Sequence, residues 1–552
     1  MLVIIPLITM VLFTVAYIWY GKFLEKRYDI DNNRATPSHT DYDGVDRVPA
    51  PRPVLLGHHF SSIAGAGPIV GPILAALAFG WLPALLWVVL GSIFIGGVHD
   101  FSALIASVRH KARSIAEVAR EYMSPLAYKL LLLFIWLALV YVLTVFTDLT
   151  SSTFVEDGGV ATSSILFMIL AIGFGIFVYR LKIPVLWASL IFVPLVFVCV
   201  WLGQIIPIAA QNLPAFIGGD PAKTWDIFLV IYCFAASTTP VWILLQPRDY
   251  LSSYLLYASV LGGFIGILFG GFAMQYPAFK TWSDPVLGSL FPILFITIAC
   301  GACSGFHAVV ASGTSSKQLD KESDTRLVGY GAMLIEGIVA VIALAAVIMI
   351  TPGDDLASKP PLIVYANGMS KFLSFFGVPA KLGYSFALLA LSTFILTTLD
   401  TATRLGRYIF EEFFNLKGTR SRYFSTIATL LLPAIFVLIT LKDPQGNPTP
   451  AWKVIWPVFG ATNQLLAGLV LLVVLVWLKK LGKKLGFVIV PMLFMNIMTL
   501  WALVILIGQF GLSTVGIIAI VLMALAILVM IESFKTVIKG ASVSGGETPP
   551  LP

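Results

Sequence analysis

The stretch Gly57–Pro72, GHHFSSIAGAGPIVGP, decides how the fold is read. It opens an apolar segment long enough to enter a bilayer, yet it contains two adjacent histidines, and its glycines and prolines weaken a helix. In hydrocarbon, backbone groups that such a break frees are tolerated only where protein buries them or water reaches them. The stretch is therefore either a seam of close helix packing or a broken helix that lines a transport cavity.

The composition sets the class of protein. Hydrophobic residues make up 58% of the 552 and charged residues 11%, whereas about a quarter of an average soluble domain is charged. This predicts an all-α polytopic membrane protein, with no hydrophilic region large enough for a separate enzyme domain, so an enzyme is not expected. The four cysteines all lie in apolar stretches, which argues against a disulfide framework.

Apolar runs of about 20 residues predict about fifteen transmembrane helices. The predicted spans are 2–20, 58–79, 81–107, 128–150, 160–182, 184–206, 226–246, 253–276, 288–312, 327–350, 382–401, 424–441, 454–478, 486–508 and 511–534. The first span lacks a basic n-region and a small-residue cleavage site, so we interpret it as a retained anchor.

The distribution of positive charge predicts the orientation. When the connections are assigned alternately to two sides, and Arg180 and Lys182 at the end of span 160–182 are counted with the connection that follows, 28 of the 35 Lys and Arg residues fall on one side. None then remains inside a span. Because cytoplasmic connections are enriched in Lys and Arg, the amino terminus is predicted outside and the carboxyl terminus in the cytoplasm. The net charge of +7 is thereby assigned to membrane topology, and no nucleic-acid partner is expected.

Spans two to eleven divide into two groups of five, so the second group has the opposite topology. Each group opens with an interruption, Gly65–Pro72 in the first and Ser237–Pro240 in the second. Interrupted helices at matching positions of inverted halves point to a transport site near the midplane. The expected organisation is an anchor helix and cytoplasmic loop (1–57), a first five-helix repeat (58–206), an inverted second repeat (226–410), four additional peripheral helices (411–534) and a disordered cytoplasmic tail (535–552).

Few ionisable residues lie inside the predicted spans, and such residues are usually functional. Those we single out are His58, His59, His99, Asp100, His307, Glu336 and Asp400. Histidine gains and loses a proton most easily near neutral pH, so we expect proton coupling at His58, His59 and His307, supported by Asp100. The structural alternatives are that the first two histidines stay wet at the interface, that Asp100 caps or pairs at the inner surface, and that Glu336 bonds a neighbouring helix.

A metal or haem site is the alternative for the same residues. Cys300 and Cys303 have a Cys-x-x-Cys spacing with His307 following, and zinc favours thiolate and imidazole ligands. The surrounding glycine, alanine and serine residues are instead typical of tight helix packing in membranes. We therefore expect no metal and no cofactor, and bound metal in the purified protein would contradict this.

The substrate is expected at the two breaks, because a broken helix presents free N–H groups and a positive dipole end to a carboxylate. The residues of the breaks are Gly65, Ala66, Gly67, Gly71, Ser237, Thr238 and Thr239. Hydroxyl groups such as Ser312 and Thr314 can coordinate Na⁺ but commonly bond their own helix backbone.

Six long motifs resemble the carbon starvation protein A family. They are Asp31–Trp87, Gly96–His110, Gln246–Leu251, Leu294–Leu319, Thr397–Tyr408 and Trp456–Gly468. The resemblance covers nearly the whole chain. It implies an inner-membrane transporter that takes up peptides or pyruvate during carbon starvation, with the LeuT-like five-plus-five inverted repeat of the amino acid–polyamine–cation carriers. It also places a substrate cradle on Gly65–Gly71 and Ser237–Pro240, and a cation position between the first broken helix and Ser304, Ser312 and Thr314.

The predicted function is therefore proton-driven import of a small carboxylate-bearing nutrient, a peptide or pyruvate, across the bacterial inner membrane. The alternatives are a Na⁺-coupled symporter, a membrane metal or haem redox protein built on the histidines and Cys300/Cys303, and a sensor that binds its ligand without moving it. The sequence gives no oligomeric state.

Overall fold

The computed structural model describes residues 1–44, 47–208, 212, 219–240, 242–441 and 446–541, and this part of the chain is almost entirely helical. One short antiparallel pair, β1 (Ser283–Asp284) and β2 (Gly288–Ser289), places Ser283 opposite Ser289. The helices in chain order are α1 (Ile4–Tyr28), α2 (Pro37–Thr40), α3 (Arg52–Ile63), α4 (Gly67–Phe79), α5 (Trp81–Gly91), α6 (Gly97–Arg109), α7 (Ile115–Tyr122), α8 (Pro125–Glu156), α9 (Gly158–Gly175), α10 (Val185–Ile205), α11 (Pro221–Thr238), α12 (Leu245–Phe269), α13 (Leu290–Thr297), α14 (Gly305–Gly313), α15 (Ala332–Ile348), α16 (Pro361–Ser374), α17 (Ala380–Phe414), α18 (Thr419–Leu438), α19 (Ala451–Lys480), α20 (Gly486–Phe510) and α21 (Thr514–Ala541).

Three π-helical segments and two 3₁₀ turns complete the described secondary structure. The π-helical segments are Ser92–Gly96, Ile176–Arg180 and Arg326–Gly331, and the 3₁₀ turns are Ser315–Lys317 and Asp355–Ser358. Two of the π-helical segments lead directly into α6 and α15, and such segments occur frequently at functional sites.

The helical, multi-span architecture is confirmed. Each predicted span coincides with a helix or a pair of helices. Within the described ranges, 12 helices are long and apolar enough to cross a membrane, or 13 if the bent pair α3–α4 is one span. The predicted spans that do not meet this test are α11 and the short pair α13–α14, so the number of fifteen stays a prediction.

The predicted break in the first broken span is confirmed. Helices α3 and α4 meet at a bend of 48°, and Ala64 at the end of α3 leaves helical geometry at φ −77°, ψ 65°. Pro68 lies in the first turn of α4, where its missing N–H costs nothing. A Cβ at Gly71 would lie 2.5 Å from the Thr297 carbonyl oxygen, so glycine allows α4 to cross closely over the end of α13.

A second break separates α13 from α14 at residues 298–304, and α19 satisfies its backbone. Gln464 Nε2 donates to the carbonyl oxygens of Ala299 at 2.7 Å and Cys303 at 2.9 Å. Asn463 Oδ1 accepts from the Phe306 amide at 2.9 Å. Trp87 Nε1 and the Ser92 hydroxyl also donate to carbonyls of this segment, at 3.4 Å and 3.3 Å. Since hydrocarbon offers no partners, these side chains together allow the chain to leave the helix here.

The predicted interruption at Ser237–Pro240 falls where α11 ends at Thr238, before α12 begins at Leu245. Helix α11 has 18 residues and α12 has 25, so at 1.5 Å per residue they measure about 27 Å and 37 Å. The length of α12 exceeds the hydrocarbon core of about 30 Å, whereas that of α11 falls short of it. That residues 226–246 form one broken span therefore stays a prediction.

The last four helices are not all peripheral, which corrects the prediction for α19. Of the most apolar 18 consecutive residues of α19, 94% are buried, whereas the buried share is 33–44% in α18, α20 and α21. The tail prediction also needs correction, because α21 continues to Ala541. Residues 542–552 lie outside the described residues.

The segment after α1 docks on the connection that follows α14. Glu322 accepts hydrogen bonds from Arg109 and Arg34 at 3.0–3.2 Å, and Arg52 contacts Asp324. Burial alone would raise the pKa of the Glu322 carboxyl, but the hydrogen bonds from Arg109, the Asp31 amide and Arg34 lower it below its ordinary value.

Candidate functional site

Four fully buried ionisable side chains form a chain of contacts across α6, α14 and α15. Asp100 Oδ1 lies 2.7 Å from His99 Nδ1, and Asp100 Oδ2 lies 2.7 Å from His307 Nδ1. The other nitrogen of His307 lies 3.2 Å from Glu336 Oε2. All four side chains are 0% exposed. We call this set the histidine–carboxylate chain.

Close backbone approach brings these three helices together. A Cβ at Gly329, in the π-helical segment before α15, would lie 3.1 Å from the Asp100 carbonyl oxygen. A Cβ at Gly96 would overlap the Ala302 carbonyl in the second break. The glycines therefore set the depth at which Asp100, His307 and Glu336 face one another.

Among the described residues, several polar atoms of the histidine–carboxylate chain have no partner in hydrogen-bond geometry. They are His99 Nε2, His307 Nε2 and both carboxylate oxygens of Glu336. A neutral imidazole has one N–H and a protonated one has two. His307 has a carboxylate near each nitrogen, so only its protonated form carries an N–H toward both Asp100 and Glu336.

The four predicted coupling residues do not all come together. His307 and Asp100 are in contact, as above, and Glu336 and His99 join them although neither was among the predicted coupling residues. His59 Nδ1 instead lies 2.8 Å from the Ser315 hydroxyl. His58 Nδ1 lies 3.5 Å from Asp249 Oδ2, in a separate network.

That second network is built on Arg248, which is 0% exposed in the first turn of α12. Arg248 contacts the Asp400 carboxylate and donates to Asp249 Oδ1 at 3.2 Å. Its Nη1 donates to the Tyr232 hydroxyl at 2.5 Å, and that hydroxyl donates to Asp400 Oδ2 at 2.8 Å. The prediction that no fixed positive charge lies inside a span is therefore wrong.

The glycines of the first break are closely packed. A Cβ at Gly67 would overlap the Cys300 side chain, and one at Gly65 would lie 2.8 Å from Phe146 and 2.9 Å from the Thr398 hydroxyl. Ala66 is fully buried. In this conformation the break meets protein, and its predicted role in substrate binding stays a prediction.

The predicted substrate residues of α11 end that helix, and two arginines of α17 bind their carbonyl groups. Arg407 donates to the Ser237 carbonyl at 2.7 Å. Arg404 donates to the carbonyls of Ala236 at 2.8 Å and Thr239 at 2.9 Å. The Thr238 hydroxyl bonds its own helix at the Phe234 carbonyl. These contacts satisfy carbonyls that a helix end leaves free.

The three predicted cation ligands do not converge. Ser304 precedes α14 and Ser312 lies near its end, so about 12 Å of helix separates them. Ser304 bonds Asn463 Oδ1 at 3.1 Å. Ser312 and Thr314 donate to carbonyls of their own helix at 2.7 Å and 3.0 Å. One ion cannot contact all three side chains in this arrangement.

Cys300 and Cys303 are free and buried and pack in the second break, where the Cys300 sulfur lies 3.4 Å from Asn463 Nδ2. Among the described residues, no three or more His, Cys, Asp or Glu side chains are arranged to hold a metal ion.

Two buried acids were not predicted. Asp148 on α8 accepts from the Trp452 amide at 2.7 Å, at the first turn of α19, where a carboxylate stabilises the helix dipole. Asp226 in the first half of α11 is 1% exposed, and its Oδ1 has no hydrogen-bond partner. The hydrophobic runs gave no signal for either, because each falls at the end of a predicted span.

Two cavities differ in chemistry. One, of about 620 Å³, is lined by apolar side chains of α5, α13 and α20, including Trp87, Phe295 and Phe494. Many of its lining residues are exposed, which is typical of side chains that face lipid. The other, of about 50 Å³, is lined by polar and basic side chains, including His58, Lys317 and Arg404. Only the second has groups that recognise an anion.

The family model described as "Carbon starvation protein CstA" matches residues 1–362 and 355–502. The chain belongs to this family. It is 33% identical to the "Peptide transporter CstA" of Campylobacter jejuni, over 89% of this chain and 78% of that protein. It is 31% identical to the "Pyruvate/proton symporter BtsT" of Escherichia coli, over 89% of this chain and 80% of that protein. The relatives of this CstA-family chain are thus named as transporters, and the multi-span fold agrees with membrane transport.

Among solved structures, MhsT in complex with L-phenylalanine matches 89% of this chain and 98% of its own, with 14% identity and a TM-score of 0.46. The manganese transporter of Eremococcus coleocola matches 90% of this CstA-family chain and 99% of its own, with 17% identity and a TM-score of 0.45.

Proposed function

We propose that this CstA-family protein is a proton-coupled secondary transporter. It imports a small carboxylate-bearing nutrient, a peptide or pyruvate, across the bacterial inner membrane during carbon starvation, with its amino terminus outside and its carboxyl terminus in the cytoplasm. The observation that supports this proposal is the histidine–carboxylate chain of His99, Asp100, His307 and Glu336. The names of the relatives, which include peptide transporters and a pyruvate/proton symporter, agree with it.

The net charge of the histidine–carboxylate chain gives the reason for proton binding. With both carboxylates ionised and both histidines neutral, the cluster would carry two negative charges in a site with no exposure to water. Isolated buried charge is strongly unfavourable. Each proton that arrives on His307 or Glu336 removes one negative charge, so the cluster is built to hold protons.

The position of His307 gives the reason for coupling. It is the third residue of α14, directly after the second break, and its partners lie on α6 and α15. A change in protonation at His307 alters the attraction between α14 and these two helices. The proton therefore acts on one half of a broken span, which is the element expected to move during alternating access.

The test uses purified protein in proteoliposomes with labelled pyruvate and labelled alanylalanine. With one proton per substrate anion, a gradient of one pH unit, acid outside, drives accumulation of pyruvate by at most about tenfold. A protonophore should abolish accumulation, and equal accumulation from a Na⁺ gradient without a pH gradient would refute proton coupling.

The variant His307→Gln should lose accumulation driven by the pH gradient but keep counterflow exchange, which needs no net proton movement. His39→Gln is the matched control, because His39 also contacts a carboxylate, Asp320 at 2.8 Å, but both side chains are exposed. Full pH-driven accumulation by His307→Gln would remove the histidine–carboxylate chain from the mechanism.

A further inference from the structure

The small cavity of about 50 Å³ has a basic lining. His58, Lys317 and Arg404 contribute to its wall, together with neutral polar side chains such as Gln246, Thr314 and Tyr408. No carboxylate is among its lining residues within the described part of the chain. Its volume is enough for a few water molecules or one small anionic group.

Two nitrogens near this cavity are buried and have no hydrogen-bond partner among the described residues. They are Nε2 of His58 and Nε of Arg404, and Arg404 is only 6% exposed. The two bonds that Arg404 makes, to the carbonyls of Ala236 and Thr239, both come from Nη2 and fix the guanidinium in place. An arginine held in this way can donate to a carboxylate with little further loss of side-chain freedom.

The start of α12 adds to the positive field. Leu245 and Gln246, the first two residues of this 25-residue helix, line the cavity, and the amino-terminal end of a helix attracts negative charge. The carboxylates nearby are already engaged, because Asp400 and Asp249 both contact Arg248. Asp249 also lies 3.5 Å from His58, and Asp400 still attracts Arg404 electrostatically. Within the described residues, however, neither Lys317 nor Arg404 forms a salt bridge with a carboxylate.

We propose that this cavity binds the carboxylate group of the transported substrate. This inference rests on the proposed function and specifies the substrate class, since the site selects a free carboxylate over its neutral amide. Because the cavity is bordered by the Lys- and Arg-rich connections, it is the subsite on the predicted cytoplasmic side. It also lies at the end of α14, the helix that carries His307.

The test measures binding directly in purified, detergent-solubilised protein. Labelled pyruvate is competed by alanylalanine and by its carboxyl-terminal amide, and the ratio of the two inhibition constants gives the preference for the free carboxylate. We expect Lys317→Gln to weaken pyruvate binding and to reduce this preference at least fivefold. Lys321→Gln is the matched control, because Lys321 is exposed in the same connection and does not line the cavity.

Arg404→Lys provides a second variant, which keeps the charge but loses the planar arrangement of donors and should also reduce the preference. Wild-type protein that does not bind pyruvate, or Lys317→Gln protein with wild-type affinity and preference, would overturn the inference. The proposed function fails separately. If carboxylate binding depends on Lys317 but proteoliposomes show no pH-driven uptake, the subsite stands and the transport proposal falls.

Discussion

The variant Gln464→Leu tests whether α19 holds the second break open. Leucine has nearly the same size, so the change removes a donor without leaving a large cavity. The Cys303 carbonyl oxygen then loses its side-chain donor, and the carbonyls of Ile298 and Ala299 each lose one of two donors. A buried acceptor without a partner costs about 1–3 kcal/mol. Among the described residues Gln464 Oε1 is itself buried without a partner, so its removal returns part of this cost, and we expect a net loss of about 1–3 kcal/mol.

Thermal unfolding in detergent measures the global effect. Unfolding entropy grows with chain length, and for 552 residues about 1 kcal/mol corresponds to roughly 1 °C. The expected drop in Tm is therefore about 1–3 °C. The local effect is sharper, because a loosened break exposes Cys300 and Cys303 to a maleimide. Their alkylation, followed by peptide mass mapping, should become several-fold faster.

The matched control is Gln509→Leu, since Gln509 is an exposed glutamine on α20 and its loss should change neither measurement. An unchanged Tm together with an unchanged alkylation rate in Gln464→Leu would refute the reasoning. The break would then be stable without the Gln464 amide, and α19 would make no measurable contribution to the stability of the break.

Two further predictions concern the first break and the cytoplasmic surface. Gly67→Ala should lower the Tm and impair uptake, because its Cβ would overlap the Cys300 side chain and overpacking costs about 1–3 kcal/mol. The control Gly508→Ala, on an open helix surface, should change neither the Tm nor uptake. Glu322→Gln should speed proteolysis of the segment between α1 and α3 at neutral pH, whereas Asp355→Asn, at an exposed residue far along the chain, should not. Since the pKa of Glu322 is lowered, its stabilisation is complete above the ordinary glutamate pKa and is lost as the pH falls through the lowered value, so wild type and Glu322→Gln should converge in acid.

The first break was predictable and the second was not, for a physical reason. Gly65, Gly67 and Pro68 weaken a helix by their own backbone properties, so a single sequence reveals them. Residues 298–304 contain no proline and one glycine, Gly301, and the chain leaves the helix there because distant side chains, mainly Asn463 and Gln464, replace the lost backbone bonds. Those partners lie far along the chain, so no local pattern could locate this break.

Buried charge was partly predictable. Asp100 and His307 stood out because each interrupts an apolar run. Arg248 did not, because it lies beside the polar connection between two runs, and hydropathy alone assigned it to that connection. Its burial is made favourable by Asp400 on α17 and Tyr232 on α11. Such a pairing is visible only once the helices are packed.

Helix α14 connects the two proposed sites and so predicts how they influence each other. About 10 Å of chain separates His307 from Thr314 at the cavity. If one orientation of α14 favours both a protonated histidine–carboxylate chain and a closed carboxylate subsite, each ligand must strengthen the other by the same factor. Pyruvate affinity should then rise as the pH falls, by up to about tenfold per unit for one coupled proton.

This dependence is checked by measuring the Kd for pyruvate across a pH series. His307→Gln should bind pyruvate with an affinity nearly independent of pH, because the group between Asp100 and Glu336 can no longer take up the proton. His39→Gln should keep the wild-type slope. A slope that survives in His307→Gln would mean that the substrate senses protons elsewhere, for example through His58, which lines the cavity itself, and α14 would then carry no signal between the two sites.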